Sequence, residues 1–290
     1  MATPQVSEDD GYALHWRKTP LTNFHAEQMV RKLRMNSALL DEDVAAIYDL
    51  PFILKELRLR TTISREGDRP SHACLVVSGL MCRAKMTQDG RRQLLSFHIS
   101  GDIPDLQSLH LPVMDHDLIA LSDAKVAFIP HEALRRISRE RPQLAEALWR
   151  DTLIDGSVFR EWIVNVGRRT ATKRMVHLLF EVGCRMKAMG LGEIGSFHMP
   201  IRQTELADAL GLTPVHVNRV LQDLRKDGLL DFKRSLVTMN DVARVAELSD
   251  FDPLYLHQSC GEPQTPGASD DLSPKDRPNA TRVGLASLAV

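Results

Sequence analysis

The rhythm of apolar and polar positions changes several times along this chain. Over 21–48 apolar residues recur at helical spacing. From about 51 to 130 they gather instead in short runs, 73–77, 80–86, 93–98 and 125–129. Ser78-Gly79, Asp89-Gly90 and Ser100-Gly101-Asp102 lie between them. Asp-Gly between two such runs is a strong hairpin signal, because glycine tolerates positive φ without steric cost. Strands at this spacing predict a β-sandwich or barrel of jelly-roll type. Helical texture returns over 131–166, and 170–190 reads as an amphipathic helix followed by Gly190, Gly192 and Gly195. Residues 232–239 read as a short hairpin or wing. The expected fold class is α+β.

Residues 203–222 carry the most specific pattern, QTELADALGLTPVHVNRVLQ. Two helices crossing steeply need a small residue where the second presses on the first, which Ala207 supplies. Their turn needs a residue that accepts a left-handed backbone, which Gly211 supplies. Leu206, Leu210, Leu212, Val217, Val220, Leu221 and Leu224 fill the inward positions. Thr213 is a good N-cap and Pro214 sits at the first helical position, where its missing N–H costs nothing. Val215, His216, Asn218 and Arg219 then project away from the core. A recognition helix reads bases from its first turns, with arginine suited to guanine and asparagine to adenine. Gln203 and Thr204 open the preceding helix, where backbone N–H groups favour a phosphate. The plainer alternative is an ordinary helical hairpin with a solvated face.

Upstream, Ala145, Leu148, Thr152, Asp155, Phe159, Trp162 and Val166 follow alternating steps of three and four. That is a heptad seam, and a two-chain coiled coil is the preferred reading. The alternative is one helix packed on its own domain.

Net charge is −1, so a nucleic-acid surface must be local. Residues 168–234 hold 12 Lys or Arg against 7 Asp or Glu, while 241–290 hold 4 against 8. This segregation fits a phosphate-binding face followed by an acidic tail. No leading apolar segment and no run near the roughly 20 residues of a membrane span is present. Cys74, Cys82, Cys184 and Cys260 lack metal spacing. A cytoplasmic chain with no membrane partner is expected. No nucleophile elbow, phosphate loop or metal-spaced histidine pair suggests an enzyme.

With these elements in order, residues from about 23 to 248 resemble the Crp–Fnr family of bacterial regulators. Residues 78–102 resemble its central β-roll and 213–224 its recognition helix. Residues 1–20 read as a flexible, polar lead, and the resemblance implies a cyclic-nucleotide-binding-like β-roll sensor at 21–140. A dimerisation helix at 141–168 and a winged helix-turn-helix at 169–250 follow; the tail at 251–290 reads as disordered from its composition, rich in Pro, Gly, Ser and Asp from Cys260 on. The resemblance also implies a homodimer on a two-fold symmetric double-stranded DNA operator, with RNA polymerase as a further partner. The base-reading slots fall on Pro214, Val215 and Arg219, and only Arg219 keeps a typical family residue.

The sensor departs from the family pattern. The phosphate-binding pair of the cyclic-nucleotide members falls on Met114-Asp115, which would repel a phosphate. The iron–sulfur members use N-terminal cysteines, and the first cysteine here is Cys74. No cofactor and no cyclic-AMP control are expected. His72, His98, His110, His116 and His131 leave a haem reading open, and Cys184 a redox one. The plainer view is hydrogen-bonded histidines and small buried thiols. The alternatives are a regulator whose DNA binding depends on an unidentified effector, and a ligand-binding module without DNA function.

Overall fold

The computed structural model describes residues 23–257, so the expected lead at 1–20 and residues 258–290 lie outside it. The helical stretch at the start divides into α1 (Asn23–Asn36) and α2 (Asp41–Tyr48). Leu40 breaks it: its backbone is extended and its N–H is taken by the Asp43 carboxylate at 3.0 Å. Strands β1 (Ile53–Leu57), β2 (Thr62–Ser64), β3 (His72–Ser78), β4 (Met81–Met86) and β5 (Arg92–His98) follow. A 3-10 turn (Leu106–Leu109), β6 (Asp117–Ala120) and β7 (Ala124–Pro130) complete the roll.

All pairs in the roll are antiparallel, in two sheets ordered β1-β7-β3 and β2-β6-β4-β5. Alternation along the strands sends Cys74, Val76, Met81, Leu118, Ala120 and Val126 between the sheets. At Gly101 the backbone turns at φ +96°, and a Cβ would lie 2.7 Å from the Gln28 carbonyl oxygen. Only glycine lets α1 sit this close.

The second helical stretch divides into α3 (His131–Glu140) and α4 (Pro142–Arg168). Pro142 cannot continue α3, but it starts α4 well because its ring pre-sets φ. After Thr170, which caps the next helix by accepting from the Lys173 N–H, come α5 (Ala171–Ala188) and β8 (Ser196–His198). Then come α6 (Gln203–Leu210), α7 (Pro214–Lys226), β9 (Leu230–Lys233), β10 (Leu236–Met239) and α8 (Val242–Ser249). A second 3-10 turn spans Pro253–Leu256 and buries Leu256. Residues 251–257, expected to belong to a disordered tail, are instead part of the described fold.

The phase of α4 corrects the expected seam. Leu148 and Trp162 are only 4% and 6% exposed, because they pack inside their own chain. Asp155 is paired with Arg83, whose guanidinium also lies 5.1 Å from the Phe159 ring centroid. Thr152 donates to the Leu148 carbonyl, and Val166 abuts Gly211. Besides Val164, at 45% exposure, the apolar positions left outside are Trp149, Leu153 and Ile163, at 66%, 57% and 72%. These three continue the same alternation of three and four, through Gly156 and Arg160, one residue out of phase with the expected seam. A helix with apolar residues on two faces offers two seams, and packing against the roll and α5 takes the first.

One hydrophobic core runs from the roll into the C-terminal domain. Leu80, Cys82, Leu94 and Phe97 of the roll join Leu178 and Phe180 of α5, and Leu206 and Leu210 of α6. Phe97 meets Trp162 edge-on at 5.6 Å between ring centroids.

Candidate nucleic-acid interface

Helix α6 starts at a one-sided cap: Glu205, itself buried, accepts from the Arg202 N–H at 2.8 Å. Leu206, Ala207, Ala209 and Leu210 are buried. The chain reverses at Gly211 (φ +63°), where the Leu212 N–H closes on the Ala207 carbonyl. The Arg174 guanidinium reaches across from α5 to the Leu210 carbonyl at 3.0 Å, satisfying the end of α6. Thr213 caps α7 by accepting from the His216 N–H at 3.2 Å. Val217, Val220, Leu221 and Leu224 are buried, as their spacing predicts.

The opposite face is open. Val215 is 81% exposed, Asn218 and Arg219 are exposed, and His216 is half-buried. Among the described residues no hydrogen bond or ion pair holds the Arg219 side chain, so its guanidinium stands free on the first two turns. Asn218 is differently placed. Its amide nitrogen donates to Gln203 Oε1 at 3.2 Å, and its oxygen accepts from Gln222 at 2.9 Å. The three amides form one row across α6 and α7. Gln222 was not singled out from the sequence, although its i,i+4 relation to Asn218 is the signal for it. Thr204 is exposed, and its hydroxyl donates to Glu205.

The wing is built by β8, β10 and β9 in that order, all antiparallel. Arg234 and Ser235 form its two-residue tip at φ +48° and +65°. Both signs belong to the tight turn that matches hairpin twist, usually filled by Asn-Gly. An arginine at the tip therefore had no turn signature in the sequence. Arg225 and Lys233 are both paired with Asp231, at 2.6 and 2.9 Å, so Arg234 is the wing cation left outward.

The sensor touches this domain directly. Arg92 donates through Nε and Nη2 to the Asp208 carboxylate at 2.9 and 2.7 Å, and Gln93 reaches the Ala209 carbonyl. Deeper in, Arg185 of α5 donates to the Phe97 carbonyl and to Asp102, both at 2.9 Å. Lys32 of α1 holds the other Asp102 oxygen at 2.6 Å. Burial opposes the Asp102 charge, but Lys32 and Arg185 outweigh it and hold the carboxyl well below the usual range.

Between the roll and α4 a cavity of about 40 Å³ remains, lined by Arg83, His98, Asp102, Gln107, Asp155 and Arg185 among others. That is room for roughly three water molecules, at about 10–15 Å³ each. Arg83 fills the space with its own side chain, donating to the Pro104 carbonyl and pairing with Asp155. Met114 and Asp115, the expected phosphate pair, do not line it: Met114 is tied by backbone bonds to Gly67 and Asp68, and Asp115 holds the His116 ring at 2.6 Å.

His98 is hydrogen-bonded to Ser96 at 2.7 Å, and burial, with Arg83 nearby, lowers it to about 4. His131 is likewise lowered to about 4 by burial and bonds Ser108. Burial raises the Cys74 thiol well above its ordinary value and Cys82 to about 12, which suppresses their thiolates. No group of three or more candidate metal ligands occurs among the described residues.

The His98 shift has a sign that can be checked. A histidine lowered from 6.5 to about 4 stays neutral when folded while the unfolded chain takes a proton. Its contribution is thus complete above pH 6.5 and is lost as pH falls towards 4. Burial raises Asp105 and Asp151 to about 6, and these act oppositely, relieving a cost as pH falls through that value. Comparison with His98→Gln isolates the histidine. In denaturant titrations the wild type should lose stability relative to the variant below pH 6.5, by at most about 1.4 kcal/mol per pH unit. Parallel pH profiles would refute this.

Two family models match the chain, the cyclic nucleotide-binding domain over residues 54–141 and the Crp-like helix-turn-helix domain over 173–248. The transcriptional activator protein FnrL of Cereibacter sphaeroides is 27% identical over 214 residues, covering 71% of this chain and 84% of its own. The fumarate and nitrate reduction regulatory protein of Escherichia coli is 24% identical over 200 residues, covering 67% and 78%. The structure of FixK2 from Bradyrhizobium japonicum superposes with a TM-score of 0.62 at 26% identity, covering 68% of this chain and 96% of that one. With a β-roll, a long helix and a winged helix-turn-helix in this order, the chain belongs to the Crp–Fnr family of DNA-binding transcriptional regulators.

Proposed function

We propose that the chain binds a two-fold symmetric operator as a homodimer, joined through the exposed stripe Trp149, Leu153 and Ile163. The observation that carries the DNA reading is the open face of α7, where Arg219 is unpaired above a fully apolar inner face. Arg219 reads a base. Gln203 and Thr204, at the start of α6, and Arg234, at the wing tip, meet phosphates. Thr213 positions the helix through its cap, and Val215 and His216 line the groove beside Arg219. Asn218 acts through the amide row, with Gln222 as a further polar contact.

The sensor is proposed to work without cyclic AMP. The cavity between roll and α4 is crossed by the Arg83–Asp155 pair, and Met114 and Asp115 do not line it. RNA polymerase is the partner that a bound regulator would recruit or block, and a cytoplasmic location follows from the DNA reading. No helix among the described residues is long and apolar enough to cross a membrane.

The test is a binding selection on randomised duplexes with wild type and Arg219→Ala. One bidentate contact to guanine discriminates by about 1–3 kcal/mol. The variant should bind the preferred operator roughly 5- to 150-fold more weakly and relax preference at one base pair per half-site. Half-sites should be centred about 10–10.5 bp apart or a multiple of it. An unchanged preference, with affinity lost evenly, would make Arg219 a phosphate contact and shift the reading to His216 and Asn218.

A further inference from the structure

Past α8 the chain does not leave the domain. Lys173 near the start of α5 pairs with Asp250 at 2.7 Å, and the Phe251 ring meets Phe180 edge-on at 5.0 Å. The chain then crosses to the junction of α4 and α5. There the Tyr255 hydroxyl donates to Glu181 at 2.9 Å and lies 3.2 Å from His177 Nε2. Glu181 is wholly buried, and the same carboxylate accepts from Trp162 of α4 at 3.1 and 3.2 Å. One residue on, Leu256 is buried and helps close the cavity that Asp151, Ile154, Asp155 and Val158 of α4 also line. The His257 carbonyl faces α1, where the Asn36 amide nitrogen, in the orientation its surroundings satisfy, donates to it at 2.8 Å.

Residues 250–257 thus touch three bodies, the DNA-binding domain, the long helix and the sensor. They lie beyond the 173–248 stretch that matches the helix-turn-helix family model. The connection they bridge is short. α4 ends at Arg168 and α5 begins at Ala171, so Arg169 and Thr170 alone carry any change of angle between the domains.

We propose that residues 250–257 are an intramolecular strap that locks the α4–α5 hinge, so that the orientation of the DNA-binding domain is set by the chain itself rather than by a bound effector. The buried carboxylate of Glu181 is the pin, held from α4 by Trp162 and from the strap by Tyr255. Leu256 is the seal over the space in which the roll, α1 and α4 meet. A locked hinge keeps the binding-competent orientation populated. An unlocked one lowers the apparent affinity in proportion to the fraction that remains competent.

The affinity arm of the test rests on the DNA-binding reading, while the hinge arms need no DNA. Four proteins are compared with the full chain: a chain ending at His257, a chain ending at Asp250, Tyr255→Phe and Leu256→Ala. Amide hydrogen exchange is followed over 166–173, and over 203–226 as a control for the fold of the helix-turn-helix. Distances are measured between spin labels at Arg91→Cys and Lys226→Cys in a Cys260→Ser background, with labelled protomers diluted in unlabelled protein.

The chain ending at His257 should match the full chain. The chain ending at Asp250 should exchange about tenfold or more faster over 166–173 and show a broadened label distance, with operator affinity falling by a comparable factor. Tyr255→Phe and Leu256→Ala should speed exchange at 166–173 while leaving 203–226 unchanged. If the shortened chain also loses protection over 203–226, these two variants decide the matter. Unchanged hinge exchange and an unchanged label distance in the variants that keep 203–226 protected would overturn the lock. Loss of the lock with no operator binding in any protein, the full chain included, would instead count against the DNA reading.

Discussion

A chain carrying Leu153→Glu and Ile163→Glu is expected to sediment as a monomer that keeps its fold. Both side chains are more than half exposed, so charge there meets water rather than the protein's own core. In the dimer the same positions would face their counterparts along the seam, where two desolvated glutamates per layer repel. A dimeric regulator gains from having two linked reading helices, and losing the link removes about a 10²- to 10⁴-fold advantage on a two-half-site operator. Binding to a single half-site should survive. The contrasting variant is Trp162→Glu. Trp162 packs on Phe97 and donates to Glu181, so this change buries a second carboxylate beside the first and should unfold the chain. Sedimentation velocity and circular dichroism on the two proteins separate the outcomes. A folded, dimeric Leu153→Glu/Ile163→Glu protein would show that the seam lies elsewhere on the chain.

Arg185→Ala should cost about 3–5 kcal/mol of stability, the usual consequence of removing one partner from a buried ion pair. Arg185 donates to Asp102 and to the Phe97 carbonyl, and lies 3.5 Å from Glu181. Without it, Glu181 keeps only neutral donors, and Asp102 keeps Lys32 and the Ile99 N–H. Burial already raises Glu181, so it should answer by taking a proton. Arg185→Met fills the volume but leaves the same unpaired charges. Pairing it with Glu181→Gln removes the carboxylate left without a cation and should recover part of the loss, so the two changes are not additive. Chemical denaturation of the two single variants and the double variant measures this. A loss under about 1 kcal/mol for Arg185→Ala would mean that water replaces the guanidinium and that the two domains are coupled mainly through their shared apolar core.

The helix-turn-helix was legible because its information is local. Ala207, Gly211, Thr213, Pro214 and the buried Val217, Val220 and Leu221 lie within fifteen residues, and each answers a steric or hydrogen-bonding need set by its neighbours. Four strands of the roll, β3, β4, β5 and β7, were legible for the same reason, from alternation and from the glycines at their turns, whereas β1, β2 and β6 carried no such pattern. The break at Leu40 and the wing tip at Arg234-Ser235 were not, because neither has the turn chemistry that usually marks such places.

By itself, then, the sequence determined the order of the roll, the long helix and the helix-turn-helix, and the outward set around Arg219. Those depend on spacings of one to seven residues, over which backbone geometry is strict. Only the tertiary structure decided which face of α4 turns inward, since Trp149, Leu153 and Ile163 repeat with the same period as Leu148, Phe159 and Trp162. Periodicity sets the interval of a seam but not which of two seams the fold uses. It alone also brought Lys32, Asp102 and Arg185 together, 70 and 83 residues apart, and returned Tyr255 to Glu181 across 74. Such contacts leave no local pattern, because a charge that will be buried and one that will stay in water are the same letter until the chain closes around them.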